Sequence, residues 1–319
     1  LFSFLGIVTN FINIMVFFRH GVTSDSPTVA FFTLSVSDVL GCITMLPEPI
    51  CFYLEDHVKT DNIFVRNCYE LTFLPATYTH IILYKVTSFV TVYMSVERAI
   101  CVIFPLKVRR IIKVKNTVVI IVLICVLTVI SYMPYAANVF ILWVPDPNNN
   151  GTFKAKNYLT ALGQIFTTSN SIFHSFFLTT AALLIVTITT VVMVARLKAS
   201  MKWRKRAISP VATSGLSNGI NNSNTRSTGS VETVKIVTAI TVVYLVCLTC
   251  THIPNMAAVA IPGMTVNGHN RFLNEILYTV RFNFDVFSSS VHLFFYVRMS
   301  SKYRKTFHSL FHKRQRGRH

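Results

Sequence analysis

Long apolar runs, separated by short polar and basic segments, dominate the chain. A helix needs about 20 mostly apolar residues to cross a bilayer. The pattern predicts seven such helices, at 1–18, 28–54, 70–104, 116–143, 158–195, 232–261 and 272–297. It therefore predicts an all-α membrane protein, with a seven-transmembrane helix bundle over residues 1–297.

Two polar segments complete this predicted layout. Residues 197–231 are basic at first and then rich in Ser, Asn, Gly and Thr, which predicts a flexible cytoplasmic loop. Residues 298–319 form a basic tail, and within it bases alternate with Tyr303, Phe307 and Leu310. That alternation predicts a short amphipathic eighth helix on the membrane surface. The first span begins at Leu1 without a Met, so we expect an extracellular N-terminal segment ahead of it.

Composition agrees with a membrane protein. Of the 319 residues, 52% are hydrophobic and 13% are charged, whereas a soluble domain carries about 25% charged residues. No H-E-x-x-H or G-x-S-x-G motif is present, so we do not expect an enzyme. Internal repeats and a repeated filter motif are also missing from the sequence, which argues against a transporter and a channel.

The formal net charge of +18 is unevenly distributed. Arg19 follows the first predicted span, bases cluster after the third, fifth and seventh, and they are sparse in the alternate loops. The positive-inside rule then predicts a multi-pass plasma-membrane protein with its N-terminus outside and its C-terminus in the cytoplasm. The bases would face anionic lipid and cytosolic partners rather than nucleic acid. The sequon at Asn150 falls in an outer loop, so Asn150 is a predicted glycosylation site.

Polar residues inside the predicted spans are the candidate functional residues, because ionisable groups are costly in lipid. At 100° per residue, His80, Tyr84 and Thr87 share the interior face of the third span with Arg98. Lys85 lies about 140° away and should face the fourth or fifth helix. Packing alone is the alternative interpretation for these side chains. The candidate ligand-pocket residues are His80, Tyr84, Lys85, His174, Arg281 and Asp285.

Two further groups of intramembrane residues follow from the same pattern. In the sixth span Pro254 predicts a kink, and with His252 it forms a candidate hinge. Ser289, His292 and Tyr296 share one face of the seventh span with Arg281 and Asp285. Together with the first three spans, this face predicts a polar core of Asn10, Asp38, Thr87, Ser289 and His292.

The third span ends in the adjacent acid and base Glu97 and Arg98, followed by Pro105 and Leu106 and then by five bases. Glu97 beside Arg98 predicts a local ion pair that can break and re-form as neighbouring helices move. The simpler alternative is an arginine that only snorkels to the headgroups.

Several stretches together resemble one receptor superfamily: LGIVTNFINIMVF, LSVSD, YKVTSFVTVYMSVER, FPLKVRRII, MKWRK and RMSSKYRKTF. The chain resembles rhodopsin-like (class A) G-protein-coupled receptors, and among them the molluscan chemosensory and neuropeptide-receptor-like group. The resemblance implies an extracellular ligand, either a chemosensory small molecule or a peptide, and activation of a heterotrimeric G protein. It assigns coupling and switching to Glu97, Arg98, Pro105, Leu106 and Tyr296. It implies no cofactor.

The chain departs from this receptor pattern at several positions. Ala99 stands where Tyr is common, His252 where Trp is common, and His292–Leu293 where Asn-Pro is common. These changes keep an alternative open, a receptor-fold protein that binds ligand but couples weakly or not at all. The receptors commonly hold a sodium ion at the acid equivalent to Asp38. A protonated His292 is expected to take the place of that ion, and the alternative is that His292 only packs and bonds a neighbour.

The outer cysteines also differ from the pattern of these receptors. Their usual disulfide joins the third helix to the second outer loop, but the outer loop after the fourth span lacks cysteine. Cys68 therefore has two candidate partners, Cys51 and a cysteine in the expected N-terminal segment.

Overall fold

The computed structural model describes residues 2–58, 60, 62–104, 112–146, 152–208, 221–261, 269–299 and 301–312. The first half contains α1 (Phe2–His20), α2 (Ser26–Thr44), α3 (Pro47–His57), α4 (Ile63–Arg66), α5 (Cys68–Ile103) and α6 (Val114–Ala136). Strands β1 (Val139–Pro145) and β2 (Phe153–Leu159) follow. The second half contains α7 (Ala161–Asn170), a π-helix (Ser171–Leu178), α8 (Thr179–Ile208), α9 (Asn221–Ala260), α10 (Arg271–Ser290), α11 (His292–Met299) and α12 (Ser301–His312).

Within these ranges, five helical stretches are long and apolar enough to cross a membrane. They are Phe2–His20, Ser26–His57, Cys68–Ile103, Val114–Ala136 and Ala161–Arg196. A shorter apolar stretch, Thr238–Pro254, lies within α9. The chain is thus a largely helical membrane protein, and these stretches coincide with six of the predicted spans.

The second predicted span is divided into two helices. Asp25 begins α2, because its carboxylate accepts a hydrogen bond from the Thr28 backbone N–H at 2.9 Å. The helix ends at Thr44, and α3 begins at Pro47. Proline has no N–H to donate, so it fits the first turn of a new helix better than the middle of an old one.

The prediction of an all-α fold is wrong between the fourth and fifth spans, where the chain forms a β-hairpin. The two predicted span boundaries on either side of the hairpin are wrong as well. The fourth span ends at Ala136 rather than at 143, and the fifth begins at Ala161 rather than at 158. Between them β1 and β2 form an antiparallel hairpin. The β1 sequence VFILWVP is rich in β-branched and aromatic residues, which favour strands. Because it is also apolar, the hydrophobic pattern places most of it in the predicted fourth span.

The hairpin lies against the start of α5. The Asn67 side-chain oxygen accepts a hydrogen bond from the Ala155 backbone N–H at 2.7 Å. Asn157 donates to the Glu70 carboxylate at 2.9 Å. These contacts fix the loop after α6 over the end of the third span.

The predicted flexible loop at 197–231 is also shorter than expected. Helix α8 continues to Ile208, and α9 already begins at Asn221. Lys and Arg are good helix formers, so the helix continues beyond its apolar stretch through the basic segment. Residues 209–220 lie outside the described part of the chain.

Neighbouring helices enclose a core that runs along the bundle. Helix α1 packs on α2 and α10, α2 packs on α5, and α5 packs on α8. Helix α9 in turn contacts α8 and α10. One core cluster includes Phe17, Leu34, Met94, Tyr296 and Tyr303. Tyr303 belongs to α12, whose Lys302, Arg304 and Lys305 are exposed, so α12 has the predicted amphipathic pattern.

Candidate functional site

The polar stripe of α5 faces the bundle interior, as its angular spacing predicted. His80, Tyr84 and Thr87 are each at most 9% exposed, and Thr77 and Thr91 are buried as well. Buried polar side chains need hydrogen-bond partners. The partners of this stripe divide the interior into three regions along α5, which take their names from the orientation and the coupling role that the sequence predicts: an outer region near the start of α5, a middle region, and a coupling region near its end.

The outer region contains an acid and two basic side chains. The Asp285 Oδ2 atom lies 3.9 Å from the His80 Nε2 atom and 3.9 Å from the Arg281 Nε atom. All three side chains are at most 5% exposed. Both oxygens of Asp285 lack a hydrogen-bond donor within the described part of the chain. A buried carboxylate without hydrogen bonds is costly, so this arrangement favours a site that an incoming donor completes.

The His80 ring has a defined orientation in this region. Its Nδ1 atom lies 3.0 Å from the Gly41 carbonyl oxygen on α2. A carbonyl only accepts hydrogen bonds, so Nδ1 carries the proton and donates. In the neutral ring Nε2 is then an acceptor that faces Asp285. The acid and the ring together present several acceptor atoms.

Glu48 adds a second outer carboxylate that the sequence analysis missed. Its Oε1 atom accepts a hydrogen bond from Thr77 at 2.6 Å. Glu48 lies between two prolines at the start of α3, a separate helix of 11 residues. The angular pattern of the neighbouring spans therefore could not predict which way Glu48 faces.

Lys85 meets the fifth span, as its angle on α5 predicted. It is 4% exposed and donates to the Thr179 hydroxyl at 2.8 Å and to the His174 carbonyl oxygen at 3.2 Å. The Thr179 hydroxyl also donates to the same carbonyl at 2.9 Å. His174 belongs to the π-helix, a wider turn that often occurs at functional sites. The structure therefore brings Lys85 and His174 together.

The sixth-span residues contact the third and fifth spans. The Tyr84 hydroxyl lies 3.5 Å from the Thr251 hydroxyl. His252 Nε2 lies 3.2 Å from the Thr180 hydroxyl on α8. Pro254 follows within α9. The predicted hinge thus lies beside the predicted ligand-pocket residues.

The middle region is centred on Asp38. One of its oxygens accepts a hydrogen bond from Thr87 at 3.0 Å, and the other lies 3.1 Å from His292 Nδ1. Asn10 donates to the Ser289 carbonyl oxygen at 2.9 Å. The five polar-core residues therefore lie in two adjoining hydrogen-bonded groups, both of them buried.

Asn13 and Tyr303 extend this network toward α12, and the sequence analysis did not identify either as a network residue. Asn13 Nδ2 donates to the Asn10 side-chain oxygen at 3.2 Å. The Tyr303 hydroxyl donates to the Asn13 side-chain oxygen at 2.7 Å. The signal was the second amide one helical turn after Asn10, which places both on one face of α1.

The coupling region begins at Glu97, which is 3% exposed. Glu97 pairs with Arg98 and also accepts a hydrogen bond from the Ser26 hydroxyl at 2.7 Å. The Ser26 hydroxyl lies 2.7 Å from the Thr117 hydroxyl. Ser26 and Thr117 belong to helices distant in sequence from Glu97, so no local pattern could identify them. Pro105 and Leu106 lie outside the described residues.

Tyr296 of α11 belongs to the core cluster that also contains Phe17 and Tyr303. It is 1% exposed, and its ring lies 4.9 Å from that of Phe31 and 5.3 Å from that of Phe17. Its hydroxyl has no hydrogen-bond partner within the described ranges. Within the described ranges, rotation of this ring would therefore break ring contacts but no hydrogen bond.

Beside the hairpin end of the bundle, Cys51 and Cys68 form a disulfide. The bridge joins α3 to the start of α5, and it corresponds to the first of the two pairings left open above. Asn150 lies outside the described residues.

The family model described as "Serpentine type 7TM GPCR chemoreceptor Srw" matches residues 1–314. None of the curated proteins compared with the chain matches it. The match supports a chemoreceptor rather than an enzyme, whereas the rhodopsin-like class and the molluscan group stay predictions from the sequence. Together with the apolar helices and the buried polar core, the match shows that the chain belongs to the Srw family of serpentine seven-transmembrane GPCR chemoreceptors.

Proposed function

We propose that this receptor binds an extracellular small molecule or peptide among His80, Tyr84, Lys85, His174, Arg281 and Asp285, and that it then activates a heterotrimeric G protein. In this proposal the N-terminus lies outside the cell and the C-terminus in the cytoplasm. The basic residues at the end of α1, in the segment after α5, at the end of α8 and in the C-terminal tail support that orientation through the positive-inside rule.

The observation that carries the proposal is the state of Asp285. Its carboxylate is 1% exposed, and neither oxygen has a hydrogen-bond donor in the described part of the chain. Gaps of 3.9 Å to His80 and Arg281 are too long for hydrogen bonds but suit a bridging atom between the groups. A ligand donor that reached Asp285 would gain a charge-assisted hydrogen bond.

Ligand binding is proposed to reach the cytoplasmic side through the sixth span. Tyr84 contacts Thr251, and His252 contacts Thr180, so a ligand beside Tyr84 or His174 would alter contacts next to Pro254. Movement at this proline would release contacts near the inner end of α9. Arg98 would then exchange Glu97 for the G protein, with Pro105 and Leu106 as further contacts and Tyr296 as the switch.

The test is ligand-stimulated nucleotide exchange on reconstituted G proteins, screened with charged small molecules and peptides. For any agonist found, Asp285→Asn should raise the half-maximal concentration by about tenfold, as expected for a lost hydrogen bond to a buried charge. Asp56→Asn is the matched control, because that carboxylate is 70% exposed on α3. Unchanged potency in Asp285→Asn would contradict the assignment of the pocket.

The alternative, a receptor that binds ligand but couples weakly, is favoured by Ala99, His252 and His292. Direct ligand binding distinguishes the two. Saturable binding that depends on Asp285, without nucleotide exchange on any G-protein class, would favour the alternative.

A further inference from the structure

A cavity lies between α6 and the fifth span, which consists of α7, the π-helix and α8. It lies beside the ligand pocket proposed above, not within it. Its volume is about 260 Å³. It is lined by Ser131, Pro134 and Tyr135 of α6 and by Phe166, Ser169, Asn170, Phe173 and His174 of the fifth span. None of the proposed ligand-pocket residues except His174 lines it.

The cavity opens toward the lipid-facing side of the bundle. Phe173 lines it and is 56% exposed, and the neighbouring Met133 and Ile165 are 57% and 62% exposed. Large apolar side chains at this level of a membrane-spanning bundle face acyl chains rather than water. A molecule dissolved in the bilayer therefore reaches the cavity sideways, without crossing the outer surface.

Several polar groups line this otherwise apolar cavity. His174 is 7% exposed, and its Nδ1 atom lacks a hydrogen-bond partner in the described ranges. The Ser131 hydroxyl donates to the Thr128 carbonyl oxygen at 2.7 Å, so its own oxygen can still accept. Ser169 and Asn170 add further polar side chains. A buried ring nitrogen without a partner is costly in an apolar setting, so a small rotation of the His174 ring that brings Nδ1 to a hydroxyl in the cavity would be favourable.

The lining also limits the charge of a ligand. Among the residues that the structure describes, the lining contains no Asp, Glu, Lys or Arg. An ion placed there would lose its water without gaining a counter-ion. The volume is near the lower limit of small-molecule pockets, which begin at about 300 Å³. A small, uncharged molecule with one hydroxyl and an apolar body fits these limits.

We propose that this cavity is a lateral binding site for a neutral lipophilic alcohol that enters from the bilayer. The hydroxyl bonds His174 Nδ1, and the apolar body packs against Phe166 and Phe173. His174 also connects this site to the ligand pocket proposed above, because its carbonyl oxygen accepts the hydrogen bond from Lys85.

The experiment uses the full chain in phosphatidylcholine nanodiscs and needs no G protein. Two photoreactive probes are compared. One is a decan-1-ol and the other a decane, and both carry a diazirine at the same carbon. After irradiation, labelled peptides are identified by mass spectrometry. We expect the alcohol to label the peptides around 131–135 and 166–174 about fivefold more than the hydrocarbon does. A ratio of about five corresponds to the affinity gained from roughly one hydrogen bond. Unlabelled decan-1-ol should compete.

Two variants and one control make the test specific. His174→Phe keeps an aromatic ring but removes the nitrogens, and it should abolish the preference for the alcohol. Ser131→Leu should fill part of the cavity and reduce labelling by both probes. Phe177→Ala is the control, since Phe177 is 58% exposed on the same helix but does not line the cavity.

Equal, non-saturable labelling by both probes in wild type would mean that only bilayer chains reach the cavity, and it would overturn the proposal. A preference for the alcohol that survives in His174→Phe would also overturn it. Neither outcome bears on the Asp285 pocket, whose test is agonist potency.

Discussion

The Nδ1 atom of His292 lies 3.1 Å from the Oδ2 atom of Asp38, in the centre of the bundle. The other carboxylate oxygen accepts a hydrogen bond from Thr87 at 3.0 Å. Both oxygens of Asp38 therefore have partners from the protein itself. A sodium ion, which the resemblance to rhodopsin-like receptors implies at this acid, does not fit here, because hard cations take oxygen ligands and His292 presents a nitrogen.

We accordingly predict that sodium does not stabilise the wild-type receptor. The thermal midpoint of the purified protein should be the same in sodium chloride as in an organic-cation chloride. In His292→Asn the amide oxygen replaces the ring nitrogen, and sodium should raise the midpoint, since a ligand that binds only the folded state stabilises it. Adding Asp38→Asn to that variant should remove the rise. A sodium effect in wild type as large as in His292→Asn would contradict the prediction.

Glu97 is held from two directions, by Arg98 within α5 and by the Ser26 hydroxyl of α2. Glu97→Gln should therefore raise ligand-independent nucleotide exchange, because Arg98 loses its inactive-state partner. Ser26→Ala should raise it less, since it removes one neutral donor. Arg98→Ala should lower ligand-stimulated exchange while surface expression stays unchanged. Equal exchange in Arg98→Ala and wild type would refute the coupling role.

Lys85 donates to two neutral oxygens and has no carboxylate among its described hydrogen-bond partners. A ligand carboxylate near Lys85 would supply the missing opposite charge. Lys85→Met should thus weaken an acidic agonist by tenfold or more, on the order of one hydrogen bond to a charge, and its uncharged amide analogue far less. Thr179→Val is the control, because it removes one partner and keeps the lysine. Similar losses for both agonists would indicate that Lys85 only supports the packing of α5 and α8.

The proposed orientation places the sequon at Asn150 outside the cell. Enzymatic removal of N-linked glycans should increase the gel mobility of the wild-type receptor but not that of Asn150→Gln. Asn221→Gln is the matched control, because its sequon lies in the segment predicted to be cytoplasmic. A mobility shift lost in Asn221→Gln and retained in Asn150→Gln would reverse the orientation.

Helix faces were the part of this structure that the sequence predicted best. The 100° spacing alone placed His80, Tyr84 and Thr87 inside the bundle. It turned Lys85 toward the fourth or fifth helix, and in the structure Lys85 contacts Thr179 of the fifth span. This worked because the polar residues of a membrane helix have only one favourable side, the interior.

Element boundaries and long-range partners were predicted less well. The strand β1 was assigned to a helix because an apolar run of its length fits both structures. Ser26 was missed as a partner of Glu97 because 71 residues separate them. The bonds between helices depend on how the helices rotate against one another, and a single periodic pattern does not contain that information.

The last prediction concerns the chain of hydrogen bonds that joins α12 to α1. Tyr303 donates to Asn13 at 2.7 Å, Asn13 donates to Asn10 at 3.2 Å, and Asn10 donates to the Ser289 carbonyl at 2.9 Å. Asn10 and Asn13 are completely buried. Tyr303→Phe removes one hydroxyl and leaves the Asn13 oxygen without its donor, which costs about 1–3 kcal/mol.

Tyr303→Phe should therefore lower the thermal midpoint of the purified receptor by several degrees. Tyr53→Phe, at a tyrosine that is 58% exposed, should leave it unchanged. The pair Asn13→Leu and Tyr303→Phe completes a double-mutant cycle. Once Asn13 is leucine, no buried oxygen remains for Tyr303 to satisfy, so the second substitution should cost much less than it does alone. Strictly additive losses would mean that the 2.7 Å contact contributes nothing, and that apolar packing, including that of the Tyr303 ring against Phe17 and Tyr296, holds α12 in place.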